Sequence, residues 1–362
     1  MLNKLTEIFK DKKVLVTGHT GFKGAWLSQV LISLGANLTG ISLPAKNDHD
    51  LFHILNLEQK MDSHIFDLRN KDMLESTIEK FKPDFIFHLA AQALVLDSYE
   101  DPYETINNNI LSTLNILEIL RKLDLNLVML NVTSDKCYLN NNQGVAFTED
   151  APLGGSDPYS ASKAMVEILS SSYNQSFFKE DSKVKMFTVR AGNVFGGGDW
   201  SANRLVPDIV RNIIAKEEIF IRNPQAIRPW QHVLEPINAY LQLAAYYHLN
   251  MNNESLDAWN IGPDPSSLVS VLDFVRDFIK IWGDQEIKLC FDDSIDKPYE
   301  AKTLGLSSEK IKSKLSYVPK LSFKESLKMT ADWYRSYSQD FNKLEDMTLK
   351  QINSYFELYQ LK

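Results

Sequence analysis

The sequence predicts an α/β protein, a doubly wound parallel sheet followed by a smaller α+β portion, and three observations carry that prediction. A strand, a glycine-rich turn and a helix open the chain between Lys13 and Leu34. Strand-like and helical stretches then alternate as far as Val132, which is the rhythm of crossover-connected parallel strands. The run Leu127–Val132 is apolar without a break, as expected of a strand covered on both faces, and polar residues follow it at once.

Lys13-Val14-Leu15-Val16-Thr17 reads as the first buried strand. It runs into Gly18-His19-Thr20-Gly21-Phe22-Lys23-Gly24 and then into a helical pattern of Trp26, Leu27, Val30, Leu31 and Leu34. Gly18 permits a tight turn, Gly21 lets backbone N–H groups approach a pyrophosphate, and Gly24 allows close helix packing. With the helix N-terminus favouring an anion, the stretch reads as a dinucleotide site. The second strand, Asn37 to Leu43, ends on Ser42 and Leu43 where an acid for a ribose hydroxyl is usual; Lys46 lies beyond, to meet a 2′-phosphate or simply solvent. Phe66-Asp67-Leu68 ends a short third strand, and Asp84 to Ala91 is a fourth whose last residues, Leu89, Ala90 and Ala91, leave room for a flat cofactor. Asp101-Pro102 starts a helix with Ile106, Ile110, Leu114, Leu117 and Leu120 on one stripe, read as core packing or as a dimer bundle.

After Leu127–Val132, the segment Thr133-Ser134-Asp135-Lys136-Cys137-Tyr138 emerges at the carboxyl edge of the sheet, where ligands of such folds bind. Asp157 is a good N-cap and Pro158 a good first helical residue, so Tyr159 and Lys163 share one helix face. An ammonium beside a phenol favours the phenolate and lowers its pKa, making the tyrosine a usable base.

The composition excludes several classes. A net charge of −8 and the lack of a basic patch with interleaved aromatics oppose a nucleic-acid partner. No stretch is long and apolar enough to span a bilayer, and Met1–Lys13 has no continuous apolar core of a signal peptide, so a cytoplasmic location is expected. Cys137 and Cys290 form neither a disulfide scaffold nor a metal-ligand spacing, so no metal is expected and Cys137 reads as a packing residue.

With these residues in view, the chain resembles the extended short-chain dehydrogenase/reductases, and within them the CDP-glucose 4,6-dehydratases. The resemblance is carried by VTGHTGFKGAWL at 16–27, HLAAQ at 88–92, TSDKCY at 133–138, GGSDPYSASKA at 154–164, RAGNVFGGGDW at 190–200 and IRNPQAIRPWQHVLEP at 221–236. It implies a Rossmann-type domain over residues 1–190 holding NAD at Gly18, Thr20, Gly21, Phe22, Gly24, Asp67, Leu68, Leu89, Ala90, Ala91, Tyr159 and Lys163. Residues 191–362 then form mainly a sugar-nucleotide domain, with some segments returning to the first.

The implied chemistry is a lyase reaction with internal redox. Tyr159, assisted by Lys163, takes the proton of the sugar C4 hydroxyl while C4 is oxidised. Asp135 protonates the departing C6 hydroxyl, Lys136 handles the C5 proton, and a 4-keto-6-deoxy product results. Thr133 or Ser134 bonds the C4 oxygen, Thr133 being preferred; either hydroxyl is otherwise a cap, and Lys136 otherwise a loop lysine. Asn193, Arg204, Arg228 and Gln231 are the implied substrate residues, while Trp230 stands between ligand contact and core. The implied partners are CDP-glucose or a similar nucleotide sugar and a second copy of the chain, as a dimer or tetramer, in deoxysugar supply such as lipopolysaccharide O-antigen.

This sequence departs from the family at Ala93, Leu96, Tyr299-Glu300 and Leu304 to Ser307, which leaves the reaction type better specified than the sugar or base. The alternatives are a dehydratase on another nucleotide sugar, a C4 epimerase, which has no need of Asp135 and Lys136, and a non-catalytic NAD-binding scaffold. The later helical patterns at 235–247, 269–282 and 322–334, and the apolar residues of the tail from Asp340 to Leu361, read as structural.

Overall fold

The computed structural model describes residues 2–142, 144–179, 182–251, 258–264, 267–283, 287–291 and 303–359. The chain opens with helix α1 (Leu2–Phe9), strand β1 (Lys13–Thr17), α2 (Phe22–Ser33), β2 (Asn37–Ser42), α3 (Leu51–Ile54), β3 (Asp62–Ile65), α4 (Lys71–Phe81) and β4 (Phe85–His88). It continues through α5 (Val95–Glu100), α6 (Pro102–Leu120), β5 (Leu127–Val132), α7 (Pro158–Ser176) and β6 (Val184–Ala191). Beyond these lie β7 (Val194–Phe195), α8 (Leu205–Ala215), β8 (Ile219–Ile221), β9 (Ile227–Pro229), β10 (Gln231–His232), α9 (Leu234–Leu249) and β11 (Ala258–Ile261). The last elements are β12 (Leu268–Ser270), α10 (Val271–Trp282), β13 (Leu289–Phe291), α11 (Glu309–Leu315), α12 (Phe323–Gln339) and α13 (Leu344–Glu357).

Seven of these strands make one parallel sheet in the order β11-β6-β5-β4-β1-β2-β3. Alternate residues of the central strands enter different cores, which is why β1, β4 and β5 are largely apolar. Val14, Val16, Phe85, Phe87, Val128 and Leu130 pack with α1, α2 and α9. Leu15, Ile86, Met129 and Met186 pack on the opposite face with α4, α6 and α7. The seventh strand, β11, comes from beyond residue 190 and extends the sheet beside β6. Three short pairs, β7 with β10, β8 with β13 and β9 with β12, build the rest of the second half.

Local chemistry sets the element ends. The Asp157 carboxylate accepts the Ser160 N–H at 2.9 Å and Asp101 accepts that of Glu104 at 2.9 Å, each followed by proline. Ser322 and Glu325 form a capping box that starts α12. Several boundaries differ from the sequence reading; the fourth strand, read as far as Ala91, closes at His88. The third strand closes at Ile65, because Asp67 accepts the Arg69 N–H at 2.8 Å and turns the chain. Residues 268–270 pair with β9 as strand, Ser270 then capping α10.

Three histidines are sealed in this interior. His88 lies between the Thr17 and Thr113 hydroxyls, at 2.7 and 3.1 Å, and burial beside Lys163 pushes it down to about 3. Burial likewise takes His232 to about 3 and His19 to about 4. Because the unfolded chain then binds more protons, each such residue makes stability fall as pH drops from the ordinary imidazole range towards its folded value. Measured by urea titration, wild-type stability relative to His88→Gln should decrease by about 1.4 kcal/mol per pH unit between roughly pH 6 and 4. A difference independent of pH would contradict a neutral buried His88.

Candidate active site

The sheet order reverses between β1 and β4, and a cleft of about 1060 Å³ opens at the carboxyl ends of the strands there. Its first wall is the glycine turn. Gly18 has φ +76°, and a Cβ on it would lie 2.8 Å from the Ala90 nitrogen; one on Gly24 would lie 2.0 Å from the Gly18 oxygen. Only glycine lets the turn touch β4 and the helix touch the turn. Gly21 caps α2 without a side chain, so the helix opens onto the cleft. Thr20 bonds the Ser42 hydroxyl at 2.8 Å and donates to the Leu43 carbonyl at 2.9 Å, tying the turn to the end of β2. Phe22, Asp67, Leu68, Leu89, Ala90 and Ala91 line the same space. Asp67 is gripped by Arg69, which also reaches Glu104 at 2.7 Å and lowers the Asp67 carboxyl. An anionic dinucleotide fits this cradle, since the turn packs backbone against backbone and the N-terminus of α2 opens onto the cleft.

The second wall carries the reactive groups. Strand β5 delivers Thr133 and Ser134, a short 3₁₀ turn follows over Asp135–Cys137, and α7 places Tyr159 and Lys163 one turn apart. The Ser134 hydroxyl donates to the Asp135 carboxylate at 3.1 Å and lies near enough to the Tyr159 phenol to lower its pKa. Thr133, preferred from the sequence, lines the cleft with Ser134, but its hydroxyl is engaged by Glu167 and contacts the Val189 carbonyl at 3.2 Å, which leaves Ser134 the freer of the two to meet a ligand.

Protonation is governed by burial. The Tyr159 phenol is pushed up to about 12, chiefly by desolvation and with the Asp135 charge adding to it, against the Ser134 bond and Arg204. The sequence reading expected Lys163 to depress it, but the lysine ammonium points to the Val132 carbonyl at 3.3 Å and is itself pulled down by burial to about 8, with Glu167 opposing. The Asp135 carboxyl is raised by burial against Lys136, Ser134, Arg228 and Lys23, and its Oδ2 has no partner among the described residues. Lys136 is half-buried on the cleft wall.

From the second half of the chain, Asn193, Arg204 and Arg228 line the cleft. Arg204 is held by Asp199 at 3.0 Å and approaches Tyr159; Arg228 is buried facing Asp135. Gln231 does not join them. Its amide donates to the Ile261 carbonyl at 3.0 Å in the core, because β10 turns that side chain towards β11. Trp230 is largely core, its indole donating to the Val269 carbonyl at 3.1 Å with its ring on Phe274, although part of it reaches the cleft wall. The departures at Ala93, Leu96 and Leu304 lie on the cleft wall, while Tyr299-Glu300 falls outside the described residues.

One member went unread. Lys23, second residue of α2, enters the cleft with its ammonium 6.0 Å from the Tyr240 ring centroid. Burial, Arg204 and Lys163 pull it down to about 7 while Asp135 opposes. Its signal in the sequence was a lysine beside Gly24 on a helix face that is otherwise apolar.

The sequence profile of the GDP-mannose 4,6 dehydratase family matches residues 15–330. The chain belongs to that family. The CDP-glucose 4,6-dehydratase of Salmonella typhimurium is 39% identical over 96% of this chain and 97% of its own. Among solved structures, the UDP-glucose 4-epimerase of Thermotoga maritima matches with TM-score 0.77 and 22% identity, over 90% of this chain and 99% of its own. The dTDP-glucose 4,6-dehydratase of Bacillus anthracis, solved with NAD, matches with TM-score 0.75 and 20% identity, over 92% and 99%. Dehydratase and epimerase alike thus share the fold. What separates this family member's site from a bare Tyr–Lys pair is Asp135 and Lys136 on the adjoining turn.

Ser134→Ala is expected to lower kcat by about 100-fold with little change in Tm. Thr133→Val, which deprives the Glu167 carboxylate of a donor, should instead cost about 1–3 kcal/mol of stability. Steady-state kinetics and thermal denaturation of the two variants test the assignment, and the reverse pattern would return the role to Thr133.

Proposed function

We propose that the protein is a CDP-glucose 4,6-dehydratase that forms CDP-4-keto-6-deoxyglucose with NAD retained in the cleft. The observation that carries this is Asp135, raised towards neutrality with an unpartnered oxygen, beside Lys136 and within the same cleft as Tyr159 and Lys163. The overall similarity to the Salmonella dehydratase supports the sugar nucleotide.

NAD fits the glycine cradle with Thr20, Phe22, Asp67, Leu68 and residues 89–91 along it, and when bound it supplies the reversible acceptor for the hydrogen and electron pair that leave C4. Tyr159 accepts the proton of the C4 hydroxyl, and the Ser134 hydroxyl steadies the oxygen as charge grows on it. The Lys163 ammonium stabilises the resulting phenolate. A ketone at C4 makes the C5 hydrogen acidic, so oxidation precedes elimination. Asp135, whose carboxyl burial raises towards the protonated form, gives a proton to the departing C6 hydroxyl, while Lys136 handles the C5 proton and later returns one to that carbon. The hydrogen taken from C4 ends on C6.

Residues 191–362 supply most of the nucleotide-sugar pocket in this reading. Asn193, Arg204 and Arg228 line the cleft there, and the arginines with Lys23 give it the positive charge that a diphosphate demands. The two acid–base residues on the turn favour a dehydratase over a C4 epimerase, which needs only oxidation and hydrogen return at C4. We also assign a second copy of the chain as partner. Helices α6 and α7 pack side by side and leave Tyr103 (78% exposed), Leu111, Met165 and Ile168 (59%) outward, an exposed apolar set of the kind that marks an interface. No helix among the described residues is long and apolar enough to cross a membrane.

Mass spectrometry of CDP-glucose, dTDP-glucose, GDP-mannose and UDP-glucose, each incubated with the protein and NAD in heavy water, tests the function. CDP-glucose alone should lose one water and gain one deuterium at C5. Unchanged mass for all four with NAD demonstrably bound would overturn the reading. Tyr159→Phe should lower turnover by at least about 100-fold. Sedimentation should show a dimer that Ile168→Glu converts to monomer; a monomeric wild type would refute the interface.

A further inference from the structure

We propose that Glu167 is the positioning residue of this active site, one buried carboxylate that clamps the catalytic helix to strands β5 and β6 and stands four residues along that helix from Lys163. The inference rests on the reading of Tyr159 as base and Lys163 as its partner.

Glu167 is 3% exposed and every direction around it is occupied by a donor. Oε1 accepts the Thr133 hydroxyl, from the last position before Ser134 and Asp135. Oε2 accepts the Thr188 hydroxyl at 2.8 Å and the Arg190 guanidinium at 2.7 Å, both from β6. The other arm of Arg190 holds the Tyr138 hydroxyl at 2.7 Å and the Glu149 carbonyl at 2.9 Å. Tyr138 passes the chain on to Asn260 of β11 at 2.7 Å. The polar chain therefore runs from the helix bearing Tyr159 and Lys163, under the strand end bearing Ser134 and Asp135, to the far edge of the sheet. None of these bonds touches a substrate position, so the reaction itself does not explain them.

Position along the helix adds a charge effect. Lys163 and Glu167 are four residues apart on α7; the ammonium bonds the Val132 carbonyl at 3.3 Å, and the carboxylate acts on it through space rather than by direct contact. Around Lys163 stand Glu167 on its own helix, the Cys137 thiol and Asp135 on the turn after β5, His88 on β4 and Lys23 on α2. Burial draws the Lys163 value down to about 8; Glu167 is the largest influence holding it up, ahead of Cys137. Without that carboxylate the ammonium loses its proton at lower pH, and with it the support it gives the phenolate.

The test is Glu167→Gln, compared with Glu167→Asp, which keeps the charge, and with Thr188→Val, which removes one hydrogen bond and no charge. In Glu167→Gln the alkaline fall of kcat/KM, expected near pH 8 in the wild type, should move down by about one pH unit or more. The Nζ titration of Lys163, followed by NMR on ¹⁵N-lysine-labelled holoenzyme and assigned with Lys163→Met, should move with it. Glu167→Asp should restore both midpoints, and Thr188→Val should lower Tm while leaving them in place. A lowered Tm for Glu167→Gln with both midpoints at their wild-type positions would overturn the proposal. The NMR titration needs no turnover, so it decides on Glu167 even if no sugar nucleotide is dehydrated, a result that would instead sink the reading of function.

Discussion

Strands β1 and β4 lie side by side in register, Thr17 beside His88, yet the chain leaves them towards opposite edges of the sheet. The gap that this opens at their carboxyl ends is the constraint on which the site depends. The glycine turn leaves β1 and the small residues 89–91 leave β4, while β5, next in the sheet, carries Ser134, Asp135 and Lys136 to the same level. Had any one of these strands been a neighbour's width away, cradle and acid–base groups would not share one cleft. The buried core of both faces fixes that arrangement, since each strand is committed to α1, α2 and α9 on one side and α4, α6 and α7 on the other.

The same burial sets the chemistry. Desolvation drives Tyr159, Lys163, Lys23 and Asp135 each towards its neutral form, and local partners only moderate the shift. For Asp135 this is useful at once, because an acid must carry a proton to give. For the cations it means that the site awaits negative charge, and a ligand bearing phosphates restores their protons as it binds. For Tyr159 it means that base strength would depend on the loaded site, where the positive charge that bound NAD supplies would oppose the effect of burial. The isolated Tyr–Lys pair is an incomplete base, and Ser134 and Arg204 are what the protein contributes to correcting it.

Much of this was legible in sequence wherever the signal is local. The glycine turn after an apolar strand, the Asp157-Pro158 helix start and the four-residue spacing of Tyr159 and Lys163 involve neighbours along the chain, and the structure places them as read. What sequence missed depends on tertiary packing. Which of two adjacent hydroxyls is the freer to meet a ligand is decided by Glu167, thirty-four residues away. Gln231 points into the core because β10 pairs with β7, a contact no local pattern reports. The direction of the Tyr159 shift reversed because burial outweighs a lysine that bonds a backbone carbonyl. Lys23 was hidden inside a motif whose glycines drew the reading, although a lysine there had no packing reason to be present.

The most direct test of the account follows one hydrogen. CDP-glucose carrying deuterium at C4 is converted by the enzyme in ordinary water and the product is located by NMR. The account predicts deuterium on C6 of the 4-keto-6-deoxy product with none lost to solvent. Deuterium washed into water, or recovered at C4, would contradict it.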